Sequence, residues 1–178
     1  MKTKLTKRRD VVVLSGSALP VVEQGENCSV VAKELIKKEL KIDMPTGDIS
    51  VAHRIGRKPV NQAPDRRDIV VKLCRRDLKS ELVSASRKQP KPLNLFINES
   101  LTPKRKSLLL ALRRMKKAHP DLVKGSTSLD GRIYAYTKPV GNSSRDQRHL
   151  INTHESLSAF CREFIKKPLD EYLQHWSF

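Results

Sequence analysis

The chain has 178 residues, 36 of them Lys or Arg and 19 Asp or Glu, for a net charge of +17. That length holds one ordinary domain or two small ones, and 38% hydrophobic residues suffice to fill a core. No apolar run approaches the ~20 residues of a membrane span, Gly16 and Pro20 cut the Val11–Leu14 run too soon for a secretory leader, and three scattered cysteines exclude a disulfide framework or a CxxC metal site; a reducing, intracellular setting is expected.

In chain order, residues 1–9 form a basic arm with five cations and no acid. Asp10 to Gly16 reads as a short buried strand built on Val11, Val12, Val13 and Leu14. Asn27 then caps a helix over Ser29 to Lys41, whose Val31, Leu35, Ile36 and Leu40 fall on one side. Asp48 to Gly56 is a second strand, with Ile49 and Val51 alternating against Ser50 and Ala52. A polar loop holding Pro59 and Pro64 leads to a third strand, Asp68 to Cys74, where Ile69, Val71 and Leu73 face opposite to Val70, Lys72 and Cys74. A helix over Asp77 to Lys88 carries Leu78, Leu82 and Ala85, and Leu93 to Asn98 is a fourth strand.

A second unit follows. Thr102 caps a helix and Pro103 occupies its first position. Leu108, Ala111, Leu112 and Met115 form its apolar stripe. Lys106, Arg113 and Lys117 cluster within roughly 40° on another face at ~100° per residue. Val123–Ser128 and Arg132–Thr137, joined through Leu129-Asp130-Gly131, predict a hairpin. Gly141 to Arg148 reads as a polar linker, Ser156 to Ile165 as a short amphipathic helix, and Leu169, Tyr172, Leu173 and Trp176 as a last apolar stretch.

The order strand, helix, strand, strand, helix, strand predicts an α+β protein. It has a ferredoxin-like βαββαβ domain of the RNA-recognition type over residues 10–100. A small α+β C-terminal domain of helix, β-hairpin and terminal helix follows over residues 101–178. The charge is segregated: residues 54–91 hold twelve cations against four acids, and residues 102–120 hold seven and none. Segregated cations on a basic chain point to a polyanion, with nucleic acid first and an acidic membrane surface second. Enzymatic motifs are missing from the sequence, with no phosphate-binding Gly-rich loop, no GxSxG and no metal spacing among five His and three Cys. No cofactor is expected. Asp65 and Asp68 could in principle hold a nuclease metal, but their setting beside Arg66 and Arg67 favours salt pairing.

The motifs Asp48-Ile-Ser-Val-Ala-His-Arg-Ile-Gly56, Arg67-Asp-Ile-Val-Val-Lys72, Phe96-Ile-Asn-Glu-Ser-Leu-Thr-Pro103 and Asp130-Gly-Arg-Ile-Tyr134, in that order and spacing, resemble two related groups. These are the first-open-reading-frame protein of LINE-type retrotransposons and the few-polyhedra protein of baculoviruses. The match runs from Val11 to Thr137, and Leu157-Ser-Ala-Phe-Cys-Arg-Glu-Phe164 resembles the retrotransposon family's terminal helix. The resemblance implies a ribonucleoprotein component with nucleic-acid chaperone activity, cytoplasmic and also nuclear, whose two domains clamp single-stranded RNA in a basic cleft. The viral group implies instead a structural or trafficking protein that binds acidic proteins or nucleocapsids. No heptads precede Val11, so the family's trimerising coiled coil has no counterpart before the first strand, and a homo-oligomer is expected only where an upstream segment supplies one.

The resemblance matches the family's basic pair to Arg66 and Arg67, its helix arginine to Arg105, and a second-strand basic residue to Arg54. Arg66 and Arg67 could hold phosphates bidentately, or be a solvated loop pair balanced by Asp65 and Asp68. Lys104, Arg105, Lys106, Arg113 and Lys117 are candidate phosphate contacts on the capped helix, with an ordinary solvated helix face as the other reading. Lys72 points from the third strand onto the open sheet face, and Arg132 follows the hairpin turn. Tyr134 and Tyr136 share a face and either stack bases or pack on the terminal helix. The first and third strands carry no aromatic residue. Base stacking on that sheet is therefore expected to be absent, and phosphate contacts to single-stranded RNA, or single-stranded DNA, are expected to dominate.

Overall fold

Val11 to Ser15 is a short run rich in β-branched residues, and it forms strand β1 at an interior position of a four-stranded sheet. The computed structural model of the chain describes residues 10–58, 64–90, 92–139 and 145–173. The basic arm and the readings for Pro59 and Trp176 lie outside the described residues. The chain divides into two compact units, Met1–Ser100 and Leu101–Phe178. Together they give an α+β architecture with two antiparallel sheets.

In the first unit, β1 (Val11–Ser15), α1 (Cys28–Leu40), β2 (Ile49–Arg54), β3 (Ile69–Leu73), α2 (Arg76–Lys88) and β4 (Phe96–Glu99) follow in that order. The strand order is β2-β3-β1-β4, and every neighbouring pair is antiparallel. Asn27 caps α1 by accepting from the Ser29 and Val30 amides at 3.0 and 3.3 Å. Val12 and Leu14 of β1 and Ile69, Val71 and Leu73 of β3 bury their side chains with Ala32, Leu35 and Ile36 of α1 and Leu78 and Leu82 of α2. Each fully buried Leu, Ile or Val contributes roughly 1.5–3 kcal/mol of transfer free energy, so this single cluster dominates the unit's stability.

Three details depart from the alternating pattern. In β2 a bulge separates Ile49 from Val51, so Ile49 and Ala52 pack on the core while Val51 is 48% exposed. The expected face shared by Ile49 and Val51 is therefore broken. On α2 the buried face is wider than Leu78 and Leu82 alone and includes Lys79, whose ammonium meets the Glu99 carboxylate of β4 at 2.9 Å with both side chains enclosed. Gly16 adopts φ +127°, where a Cβ would lie 2.3 Å from the Asn94 carbonyl oxygen. Only glycine allows this approach, which the Ala18 amide fixes by donating to the same oxygen at 3.0 Å.

The second unit runs α3 (Pro103–Ala118), β5 (Val123–Leu129), β6 (Arg132–Thr137), β7 (Gln147–Leu150) and α4 (His154–Phe160), continued by one π turn at Cys161–Ile165 and a 3₁₀ turn at Leu169–Tyr172. Asp130 and Gly131, both at positive φ, close the β5–β6 hairpin as the Asp-Gly pair predicts. The expected polar linker is corrected here: Gln147–Leu150 is a strand that pairs antiparallel with β6 and makes a three-stranded sheet. Leu108, Ala111, Leu112 and Met115 of α3 pack with Val123, Ile133, Ala135, Leu157 and Phe160. Tyr172 locks the end of the unit to α3, its hydroxyl 2.7 Å from His119 Nε2 and its carbonyl accepting from Arg114 at 3.0 Å.

Candidate nucleic-acid interface

The arginines nearest the third strand separate into three roles. Arg54 ends β2, and its side chain is only 5% exposed. Its Nε and Nη2 donate to the Glu26 carboxylate at 2.6 and 2.9 Å, its Nη1 to the Arg67 carbonyl at 2.8 Å and its Nη2 to the Pro20 carbonyl at 3.2 Å. It thus ties the β1–α1 loop and the β2–β3 loop to the end of β2, and the phosphate role that the resemblance implies for Arg54 gives way to a clasp. The bond from Arg54 holds the Glu26 carboxyl below its usual range, and the same bond raises Arg54 further. The neighbouring Cys28 thiol donates to Glu26 at 3.3 Å and is pushed up, first by burial.

Arg67 is half-buried, and its Nε lies 3.1 Å from Asp65 Oδ1, the salt pairing expected of that loop. Arg66 is exposed and spends one donor on the Ser17 carbonyl at 2.9 Å. A guanidinium has five N–H donors, so Arg66 keeps most of its capacity facing solvent. Of the basic pair, Arg66 is the member whose donors mostly face solvent.

The face of the four-stranded sheet away from the helices carries Val11, Val13, Val70 and Lys72, with Val51 and His53 on β2 and Phe96 and Asn98 on β4. Lys72 is exposed there, with Val11 and Val51 as its cross-strand neighbours. The first and third strands indeed hold no ring. Phe96, however, lies opposite Ser15 on this same face and is 43% exposed. The expected absence of base stacking rests on those two strands alone, and Phe96 adds a ring to the face that this reading does not weigh. The ring sits on the fourth strand, outside the two strands where a typical RNA-recognition domain carries its stacking aromatics.

On α3 the Thr102 hydroxyl accepts from the Arg105 amide at 3.4 Å and Pro103 sits in the first turn. Lys104, Lys106, Arg113, Lys116 and Lys117 are all exposed, and none of them is paired with a carboxylate among the described residues. Lys104 borders a pocket with Ser107, Asn152, Thr153 and Glu155. Arg105 differs from its neighbours. It is half-buried and its Nη1 donates to the Gly131 carbonyl, so it braces the hairpin turn against the helix.

Arg132 is exposed beside that turn. Tyr134 is half-buried on the outer side of β6, with the Arg148 guanidinium 4.8 Å from its ring centroid. On the inner side His149 bonds Thr137 at 2.9 Å and meets the rings of Phe160 and Phe164 at 5.4 and 4.5 Å. Burial lowers its pKa, so the ring is neutral near physiological pH. Among the described residues no group of three His, Cys, Asp or Glu could hold a metal ion, and no helix is long and apolar enough to cross a membrane. No family model matches the chain, and no curated protein matches it.

Proposed function

We propose that this chain is a non-catalytic binder of single-stranded nucleic acid, RNA in the first place and single-stranded DNA in the second, that grips its ligand chiefly through phosphates. The observation that carries this reading is the solvent face of α3. Lys106, Arg113, Lys116 and Lys117 stand exposed there without an acidic partner among the described residues, and the 16-residue helix contains no acid. Such a face repels itself until a polyanion neutralises it. Arg66, Lys72 and Arg132 add exposed cations of the same kind.

The strand order β2-β3-β1-β4, with α1 and α2 in the βαββαβ sequence, supports the ferredoxin-like, RNA-recognition reading of the first unit. In this reading the protein belongs to the ribonucleoprotein of a retroelement in the cytoplasm and nucleus. Its chaperone activity follows from charge: cations that screen phosphates without fixing bases let strands exchange.

The test replaces Lys106, Arg113 and Lys117 together by Gln. Each neutralised phosphate of a single strand contributes a slope of about −0.7 to log affinity against log salt. The triple variant is expected to lose about 2 from the wild-type slope and to keep its thermal midpoint. An unchanged affinity and slope would mean that the α3 face does not touch the strand.

A further inference from the structure

Antiparallel sheets usually turn polar residues toward water on their outer face. The outer face of the three-stranded sheet in the second unit mixes polar side chains with tyrosine and leucine. Ile133, Ala135 and Thr137 of β6 alternate into the core, which leaves Arg132, Tyr134 and Tyr136 on the outer side. The register sets Thr127, Tyr134 and Leu150 in one cross-strand row and Gly125, Tyr136 and Arg148 in the next. Leu129 and Leu150 are each 49% exposed on this face.

Three properties of the face suit a nucleobase. Tyr134 and Tyr136 stand two residues apart on one strand, roughly 6.8 Å, so each ring can take a base of its own. A Cβ at Gly125 would have nothing within 4 Å, so open space lies beside Tyr136. Arg148 lies over one side of Tyr134 and extends its stack with a second flat cationic surface. Neither Arg148 nor Arg132 is paired with a carboxylate among the described residues. An apolar protein partner would have to desolvate both guanidiniums without an anion, whereas a phosphodiester strand supplies one per base. Tyrosine also has few rotatable bonds, so ordering it on contact costs little entropy.

We infer that this outer face, formed by Tyr134, Tyr136, Arg148 and Leu150 beside Gly125, is a stacking platform for the bases of a single strand. The inference rests on the proposed function and adds to its phosphate contacts a base-dependent part of the affinity. The probes are a labelled oligouridylate and an abasic phosphodiester strand of equal length, titrated with the full chain.

Wild type is expected to bind the oligouridylate about tenfold or more tighter than the abasic strand. The Tyr134→Leu, Tyr136→Leu variant loses that preference but keeps abasic affinity and salt slope, whereas the Tyr→Phe pair keeps the preference. Should the Leu pair not fold, Gly125→Val decides: it retains both rings, fills the space beside Tyr136, and is expected to reduce the preference at least threefold. Equal wild-type binding to both strands, or a preference that survives these variants, overturns the platform and leaves phosphate binding standing. Binding to neither strand overturns both readings. A concentration-dependent dimer abolished by the Leu pair would assign the face to a second copy of the chain and overturn the platform.

Discussion

Replacing Arg54 by Gln separates a structural clasp from a phosphate ligand. The guanidinium neutralises Glu26, whose side chain is only 10% exposed, through two bonds of 2.6 and 2.9 Å. Glutamine retains part of the stem and none of the charge. Glu26 would then be a nearly buried carboxylate without its counter-ion, and removing one partner of such a pair costs about 3–5 kcal/mol. The Pro20 and Arg67 carbonyls border solvent, so their lost bonds add at most about 1 kcal/mol each. A typical domain has about 5–15 kcal/mol in total, so the loss is a large fraction of the unit's stability. Urea denaturation followed by circular dichroism measures it. The pH dependence gives a second readout. In wild type, Arg54 holds the Glu26 pKa below its ordinary value, so this stabilisation is present above about 4.3 and is lost as pH falls through the lower folded value. In the variant the lowering by Arg54 is gone while the cost of burying the charged carboxylate remains, so acid, which neutralises it, relieves the penalty. The gap between the two proteins should therefore narrow as pH falls toward about 4. A cost below about 1 kcal/mol, a gap that ignores pH, and a fall in RNA affinity would together show that Arg54 contacts phosphate instead.

Lys79→Ala should cost about 3–5 kcal/mol in urea denaturation, because it leaves the enclosed Glu99 carboxylate without its ammonium; the double change Lys79→Met, Glu99→Leu should recover most of that loss. Gly16→Ala is expected to lower stability by about 2–3 kcal/mol in thermal denaturation, since a methyl at φ +127° meets the Asn94 carbonyl, and a neutral result would contradict the close approach. Thiol labelling read by mass spectrometry should modify exposed Cys74 first. Cys161 is buried, and burial pushes its thiol up to about 11, so it should react only as fast as the protein opens; rapid native-state modification of Cys161 would refute that packing.

The regular elements with strong local signals were legible in the sequence. β1 and β3 announce themselves by β-branched runs, α1 and α3 by their caps at Asn27 and Thr102, and the hairpin by Asp130-Gly131. The other features depend on pairing partners elsewhere in the chain. Gln147-Arg-His-Leu150 has little strand propensity of its own and becomes β7 because the edge of β6 offers it hydrogen bonds. The bulge in β2 follows from its pairing with β3, and periodicity within β2 cannot reveal it. Arg54 looks like any other cation in a basic stretch until Glu26, 28 residues earlier, encloses it. Lys79 similarly hides in a charged helix whose inner face happens to meet Glu99. For the candidate interface, exposure on α3 followed from helical spacing. The distinction between outward Arg66 and inward Arg54, and the presence of Phe96 on the open face, required the fold.

The central claim, phosphate-driven capture of single strands, is tested most directly by a salt titration of wild-type binding to labelled single-stranded and duplex RNA of equal length. The account predicts tight single-strand binding, weaker duplex binding, and a steep slope built from about −0.7 per contacted phosphate. Equal and weak binding to both, or a single-strand affinity indifferent to salt, would contradict it.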